Sequence, residues 1–171
     1  MLENYPMKYL LLILVFISSS AIAQKSRGFV SGTFQVDAPE HYKPVVSARL
    51  SGGANLNNLV LLGIGVAVTK FEEFSKVYVP VFGTISVADF TKHISPLLVL
   101  EPGYGFYAEK EKKDFEDHGG FTFFGGGGVA IAASEKANLS FSIGYSHYEF
   151  KTRGDHHKVN GPGFRFTITA L

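Results

Sequence analysis

The 171-residue chain has no cysteine, few charged residues and no long apolar run. Without cysteine it has no disulfide, no cysteine–zinc site, no thiol nucleophile and no lipid-modified cysteine of the bacterial lipoprotein type. Charged residues are 18% of the sequence and the formal net charge is +1. A nucleic-acid partner is therefore not expected, because it requires a dense basic surface. The 16 Phe and 19 Gly argue against disorder and against a coiled coil.

The longest apolar run lies near the N-terminus and has the pattern of a secretory signal. Lys8 precedes the run Tyr9–Ile17, and the small-x-small site Ala21-Ile22-Ala23 follows. The run is far shorter than the roughly 20 apolar residues of a membrane-spanning helix. We predict a signal peptide at residues 1–23, with Met7 as a natural start, and one exported domain at residues 24–171. A buried N-terminal strand is the alternative.

From Gln24 onward, apolar residues alternate with small or polar ones, which is the pattern of β-strands. In the clearest segment the apolar positions are Val60, Leu62, Ile64, Val66 and Val68. Similar alternation elsewhere predicts eight strands of roughly nine to thirteen residues, longer than most strands of soluble sheets. Tilted strands of about 9–11 residues are long enough to cross a bilayer.

The composition of the two strand faces indicates which solvent each face meets. One face carries Val, Leu, Ile and Phe, whereas the other is mainly Ser, Thr, Gly and Ala, with few charges. Water-exposed strand faces usually carry Lys and Glu, but small residues suit the crowded interior of an eight-stranded barrel. The sequence therefore predicts an all-β fold, an eight-stranded antiparallel up-and-down transmembrane β-barrel with its bulky apolar side chains facing lipid.

The predicted connections alternate between long and short along the chain. This is typical of a membrane barrel with both termini in the periplasm, since external loops exceed periplasmic turns in length. Two charged connections, Glu109–Gly119 and Lys151–Gly161, fall on the external side. The seven connections are Asp37–Lys43, Ala54–Asn57, Lys70–Lys76, Phe90–His93, Glu109–Gly119, Ser134–Lys136 and Lys151–Gly161.

Several segments resemble the small outer-membrane β-barrel proteins, the OmpA/OmpX-like eight-stranded group of porin-like proteins. They are Tyr78–Gly83, Pro102–Phe106, Gly119–Phe121 and Leu139–Tyr145, after a signal that ends at Gln24. The resemblance implies a location in the outer membrane of a Gram-negative cell, surrounded by outer-membrane lipids, and assembly by the barrel-insertion machinery. Many such barrels end on an aromatic residue, whereas this chain ends on Leu171. We expect a monomer.

Three charged residues fall on predicted lumen-facing positions: Arg49, Glu101 and Arg165. A charge in a narrow barrel interior is costly unless it is paired, so we predict a polar network among them. Its simplest role is to fill and stiffen a closed barrel. The alternative is a gate in a narrow pore, since several lumen-facing glycines leave room for a thin water path.

Other motifs do not indicate a catalytic, cofactor or metal site. Ser146 and His147 would point to opposite sides of a strand, which argues against a hydrolase constellation with Glu149. The adjacent His156 and His157 lack spaced partner ligands. Gly125–Gly128 precedes further strand residues, whereas a phosphate-binding loop precedes a helix. Aromatic residues near strand ends predict an interfacial girdle that includes Tyr78, Tyr104, Phe106, Tyr107, Phe121, Phe123, Tyr145, Tyr148 and Phe150.

These observations predict a non-enzymatic outer-membrane barrel with a structural or surface-interaction role. Its external loops would bind any external partner, whose identity the sequence leaves open. A narrow porin-like channel for small solutes is the first alternative. An outer-membrane lipid-modifying enzyme and a soluble periplasmic barrel that binds an apolar ligand are the others.

Overall fold

A computed structural model describes residues 27–71, 76–107, 119–152 and 155–171 of the chain. The regular structure in these ranges is β-strand, and no helix among them is long and apolar enough to span a membrane. The predicted signal peptide lies outside the described residues, as does most of the charged connection Glu109–Gly119.

The strands form one closed barrel. Each strand pairs antiparallel with the next along the chain, and β8 closes the barrel by pairing antiparallel with β1. The predicted eight-stranded up-and-down architecture is confirmed. The strands are β1 (Arg27–Asp37), β2 (Val45–Leu56), β3 (Val60–Phe71), β4 (Lys76–Val87), β5 (Ile94–Tyr107), β6 (Gly120–Ser134), β7 (Ala137–Thr152) and β8 (Asp155–Ala170).

The connections divide between two ends of the barrel. At the turn end, residues 57–59, 88–93 and 135–136 join the strands; at the loop end the connections begin after Asp37, Phe71, Tyr107 and Thr152. The turn after β2 is tight: Asn57 and Asn58 have φ angles of 55° and 58°, and the Leu59 amide donates to the Leu56 carbonyl at 3.0 Å. Asparagine tolerates this left-handed backbone, which matches the twist of a β-hairpin.

The predicted long connection Lys151–Gly161 is wrong. β7 runs to Thr152 and β8 begins at Asp155, so most of this segment is paired strand. Its charged residues suggested a loop, but Val159 within it continues the buried register that Tyr148 and Phe150 begin on β7. The predicted connection Ala54–Asn57 is also misplaced, because β2 extends to Leu56 and most of the predicted connection is strand.

The outward face of the barrel is apolar, as predicted. Ile64 is 75% exposed, and large apolar side chains occupy outward positions on every strand. Such a surface is stable in hydrocarbon, where a closed barrel also satisfies all of its backbone hydrogen bonds. The exposed strand residues are Val30, Phe34, Val46, Leu50, Leu62, Ile64, Val66, Val68, Val81, Ile85, Val87, Ile94, Leu98, Leu100, Tyr104, Phe106, Phe121, Val129, Phe141, Ile143, Tyr145, Phe164 and Ile168.

The inward face combines small polar residues with a few large rings that inward-facing glycines accommodate. The ring of Phe82 lies against Gly65, where an added Cβ would be 2.5 Å from the ring. Tyr78 lies against Gly105, where the corresponding distance would be 2.1 Å. These glycines therefore permit close approach of an aromatic ring from the neighbouring strand.

We expect Val66→Lys to destabilise the inserted barrel by about 2–4 kcal/mol, because it puts a charge into lipid near the middle of β3. Val87→Lys, at the turn end of β4, should cost only about 0–1 kcal/mol, because that position lies near the membrane interface. Urea-dependent folding into phosphatidylcholine vesicles measures both values. Equal, small effects at the two positions would contradict the lipid-facing assignment.

Candidate functional site in the barrel lumen

The three charged residues singled out from the sequence meet inside the barrel. Arg49 on β2 donates from Nη2 to Oε2 of Glu101 on β5 at 2.7 Å. Arg165 on β8 approaches the same carboxylate oxygen with its Nη1 at 2.8 Å. All three side chains are buried. One carboxylate from β5 thus joins two guanidinium groups from β2 and β8, the strands that flank β1 on the other side of the barrel.

A second acidic group balances the charge of the two arginines. Gln35 accepts from Arg165 Nε at 2.7 Å and from Arg49 Nη1 at 3.3 Å through its Oε1. Its Nε2 donates to both carboxylate oxygens of Asp37, at 2.7 and 2.9 Å. Gln35 therefore connects the cationic group to Asp37. With Asp37 and Glu101 ionised, the two acids match the two arginines in charge.

Hydroxyl groups complete the coordination of both carboxylates. Tyr148 donates to Asp37 Oδ2 at 2.7 Å, and Ser146 donates to Asp37 Oδ1. Thr84 donates to Glu101 Oε1 at 3.1 Å. Buried carboxylates are costly without hydrogen-bond partners, and these hydroxyls supply them.

The arginines also stack on lumen aromatics. The Arg49 guanidinium carbon lies 4.1 Å from the Phe82 ring centroid, and that of Arg165 lies 3.3 Å from the Phe124 centroid. These cation–π contacts cover guanidinium faces that carry no hydrogen bonds. Arg49 Nε and Arg165 Nη2 are buried without a hydrogen-bond partner in the described part of the chain.

Apolar layers enclose the polar network from both ends. The layer at the loop end contains Val45, Phe71, Tyr78, Tyr148, Phe150 and Val159. The layer at the turn end contains Phe29, Leu61, Phe90, Leu97 and Val99. Between the network and the turn-end layer lies a hydroxyl-lined cavity of about 30 Å³. An eight-stranded interior is just wide enough for side chains of this kind to fill it.

Part of the predicted aromatic girdle is wrong. Tyr78, Tyr148 and Phe150 lie inside the barrel and are almost completely buried. Tyr104, Phe106, Phe121 and Tyr145 are exposed on the outward face instead. The two groups differ in strand register, since the first continues the inward alternation. Two members of the predicted girdle remain. Phe123 is half-buried, and the Tyr107 side chain is not among those that the structure describes.

Sequence reasoning missed the members of the network that surround Asp37. Asp37 was assigned to a connection, but it is the last residue of β1 and is 1% exposed. From the sequence, Ser146 was weighed only with His147 and Glu149, and Tyr148 was placed in the interfacial girdle. The available signal was their shared inward register with the arginines.

The residues considered for catalysis lie on opposite sides of the barrel wall. Ser146 points into the lumen toward Asp37, whereas His147 points outward and contacts the Asn160 side chain through Nδ1. Glu149 also points outward and pairs with His156 and Lys158 at 3.4 and 3.5 Å. The strand therefore separates Ser146 from the imidazole and carboxylate of that constellation.

The adjacent histidines, His156 and His157, and the glycine run Gly125–Gly128 all lie in strands. His156 pairs with Glu149, and the His157 ring lies 5.6 Å from that of Phe150. Among the described residues, no group of three or more His, Asp or Glu side chains is arranged to hold a metal ion. Gly125–Gly128 lies within β6, where the chain continues as strand.

The overall fold is similar to that of a solved outer-membrane protein. The sequence itself matches no protein-family model and no curated protein. Neisserial surface protein A superposes with a TM-score of 0.60 at 11% identity, covering 84% of this chain and 94% of that chain. The chain has the fold of a small eight-stranded outer-membrane β-barrel.

Two other solved structures overlap with this barrel less closely. The N-terminal barrel domain of Pseudomonas aeruginosa OprF has a TM-score of 0.45 at 9% identity, covering 84% of this chain and 99% of that one. Escherichia coli outer membrane protein W has a TM-score of 0.46 at 10% identity, covering 85% and 97% respectively.

We expect Glu101→Gln to lower the free energy of unfolding by about 3–5 kcal/mol, because it leaves two buried arginines without their shared counter-charge. The matched control Thr84→Val removes a neutral donor and keeps every charge, so it should cost about 1 kcal/mol. Equilibrium urea unfolding in detergent micelles measures both. Equal losses would show that charge compensation is not what Glu101 supplies.

Proposed function

We propose that the protein is an exported, non-enzymatic outer-membrane barrel with a structural and surface-interaction role. The observation that carries this proposal is the packed lumen: two acids lie with two arginines, apolar layers enclose them, and the cavity beside the network measures about 30 Å³. A barrel filled in this way presents its outer surface and its loop end to other molecules. The likeness to Neisserial surface protein A supports the outer-membrane fold on which the proposal depends.

The loop end of the barrel is the part available to an external partner. The β7–β8 hairpin carries exposed charged groups there, with Glu149 between His156 and Lys158. The charged connection Glu109–Gly119, most of which lies outside the described residues, joins β5 to β6 at the same end. Both segments are accordingly proposed as contact regions.

The hydroxyl-lined cavity is the observation that favours a narrow channel, the second candidate. Its wall includes Ser31, Ser51, Thr167, Glu101 and Arg165, which are groups that water hydrates readily. The space is about the size of one or two water molecules. Conduction would require the ion pairs and both apolar layers to separate, so a closed barrel is the favoured state.

Cell fractionation combined with protease treatment of intact cells tests the proposed location. We expect the protein in the outer-membrane fraction, with cleavage in Glu109–Gly119 and a protected barrel, because strands embedded in lipid are inaccessible to protease. Recovery in the soluble periplasmic fraction, without detergent, would contradict the proposal and favour the soluble ligand-binding alternative.

Planar-bilayer recording tests the closed lumen. The wild-type protein should insert without conducting ions, because the ion pairs and apolar layers leave no continuous water path. The double variant Phe90→Ala/Leu97→Ala opens only the turn-end layer and should also stay closed, since the network and the loop-end layer are intact. Steady wild-type conductance would favour the channel.

A further inference from the structure

The described part of the lipid-facing surface contains a hollow at a glycine position. On β6 the outward positions include Gly125 and Gly127, where neighbouring strands carry large apolar residues. The Phe123 ring covers Gly125, but a Cβ added at Gly127 would touch only the Leu97 carbonyl oxygen, at 3.5 Å. The result is a space of about 560 Å³ bordered by Phe34, Val36, Val129, Phe141, Ile143 and Phe164. We refer to it as the Gly127 hollow.

A charged rim lies on the same face, toward the loop end. It consists of Glu149 and Lys151 on β7 with His156 and Lys158 on β8. Glu149 and Lys151 flank the buried Phe150, and Lys158 precedes the buried Val159, so these side chains share the outward register. Glu149 is shared by His156 and Lys158. With a neutral imidazole, one acid faces two lysines, so the rim has a net positive charge.

The distance between hollow and rim matches one leaflet of a bilayer. On β8, Phe164 at the hollow follows Lys158 at the rim by six residues, which is about 20 Å along a strand. A tilt of about 45° makes that a depth of roughly 14 Å, close to half of the ~30 Å hydrocarbon core. A lipid with its headgroup at the rim therefore has chains long enough to reach the hollow.

We propose that this face binds a phosphorylated glycolipid of the outer leaflet, the lipid A type. One acyl chain fills the Gly127 hollow while a headgroup phosphate contacts Lys158 and Lys151. Charge complementarity selects an anionic headgroup, and the position of the rim at the loop end selects the external leaflet. The proposal rests on the proposed outer-membrane location, because the rim faces this lipid only if the loops are external.

Native mass spectrometry of the protein, purified in detergent from the membrane that assembles it, tests the site. Lipid A, phosphatidylglycerol and phosphatidylcholine are added in separate samples, and the fraction of protein retaining each lipid is measured. We expect lipid A to be retained most. Gly127→Leu should reduce its retention severalfold by filling the hollow, and Lys158→Gln should reduce it about fivefold through loss of one phosphate contact.

Two control variants separate the site from general surface effects. Gly83→Leu adds the same side chain to a lipid-facing position on β4, where the nearest atom to an added Cβ is 3.9 Å away. Lys70→Gln removes an exposed lysine at the loop end of β3. Both should retain lipid A as the wild type does. Heat-modifiable gel migration verifies that each variant is folded, and Gly127→Ala replaces Gly127→Leu if the larger side chain prevents folding.

Equal retention of the three lipids would overturn the lipid site, and so would wild-type retention of lipid A by Gly127→Leu. Neither result would affect the barrel's proposed location. A dimer that disappears in Gly127→Leu, with no lipid adduct, would overturn it in favour of a second copy of this chain on the same face. Failure of the protein to enter membranes at all would instead contradict the proposed function itself.

Discussion

The whole structure depends on the requirement that each strand residue point either into a narrow lumen or out into lipid. Closing eight antiparallel strands into a barrel removes every free edge and leaves two environments with opposite demands. Apolar side chains are stable outside, whereas a charged side chain inside must find a partner within the same small volume. The Arg49–Glu101–Arg165 group follows from this constraint, because inward-facing charges from β2, β5 and β8 share one small lumen and pair there.

The order of layers in the lumen follows from the same constraint. Charges lie in the middle, where Glu101 pairs with both arginines and Gln35 connects the arginines to Asp37, and rings enclose them at each end. The aromatic groups serve two purposes, since Phe82 and Phe124 stack on guanidinium faces while Tyr148 donates to Asp37. In the function we propose, such an interior leaves the rim, loops and lipid face as the surfaces for interaction. At the Gly127 hollow, the described lipid face departs from a uniform apolar band.

Alternation along the chain was enough to predict the architecture. Val60–Val68 shows the period of two clearly, and the structure places this set outward on β3. Arg49, Glu101 and Arg165 could be assigned to the lumen because each lies in such a register. Their actual distances could not be predicted, since Arg49 and Glu101 are 52 residues apart and meet only through barrel closure and strand stagger. Composition led to a wrong prediction at the loop ends of β7 and β8. The charged outward residues there indicate a loop, although they alternate with the inward Tyr148, Phe150 and Val159.

The absence of cysteine makes the central claim directly measurable. Single cysteines at positions 64–69 of β3 can each carry a spin label in the protein reconstituted in lipid vesicles, and collision with oxygen and with a water-soluble reagent is then recorded. The account predicts a period of two, with labels at Ile64, Val66 and Val68 reporting lipid and labels at Ala67 and Thr69 reporting a shielded lumen. Labels at Ile64, Val66 and Val68 that collide mainly with the water-soluble reagent would contradict it.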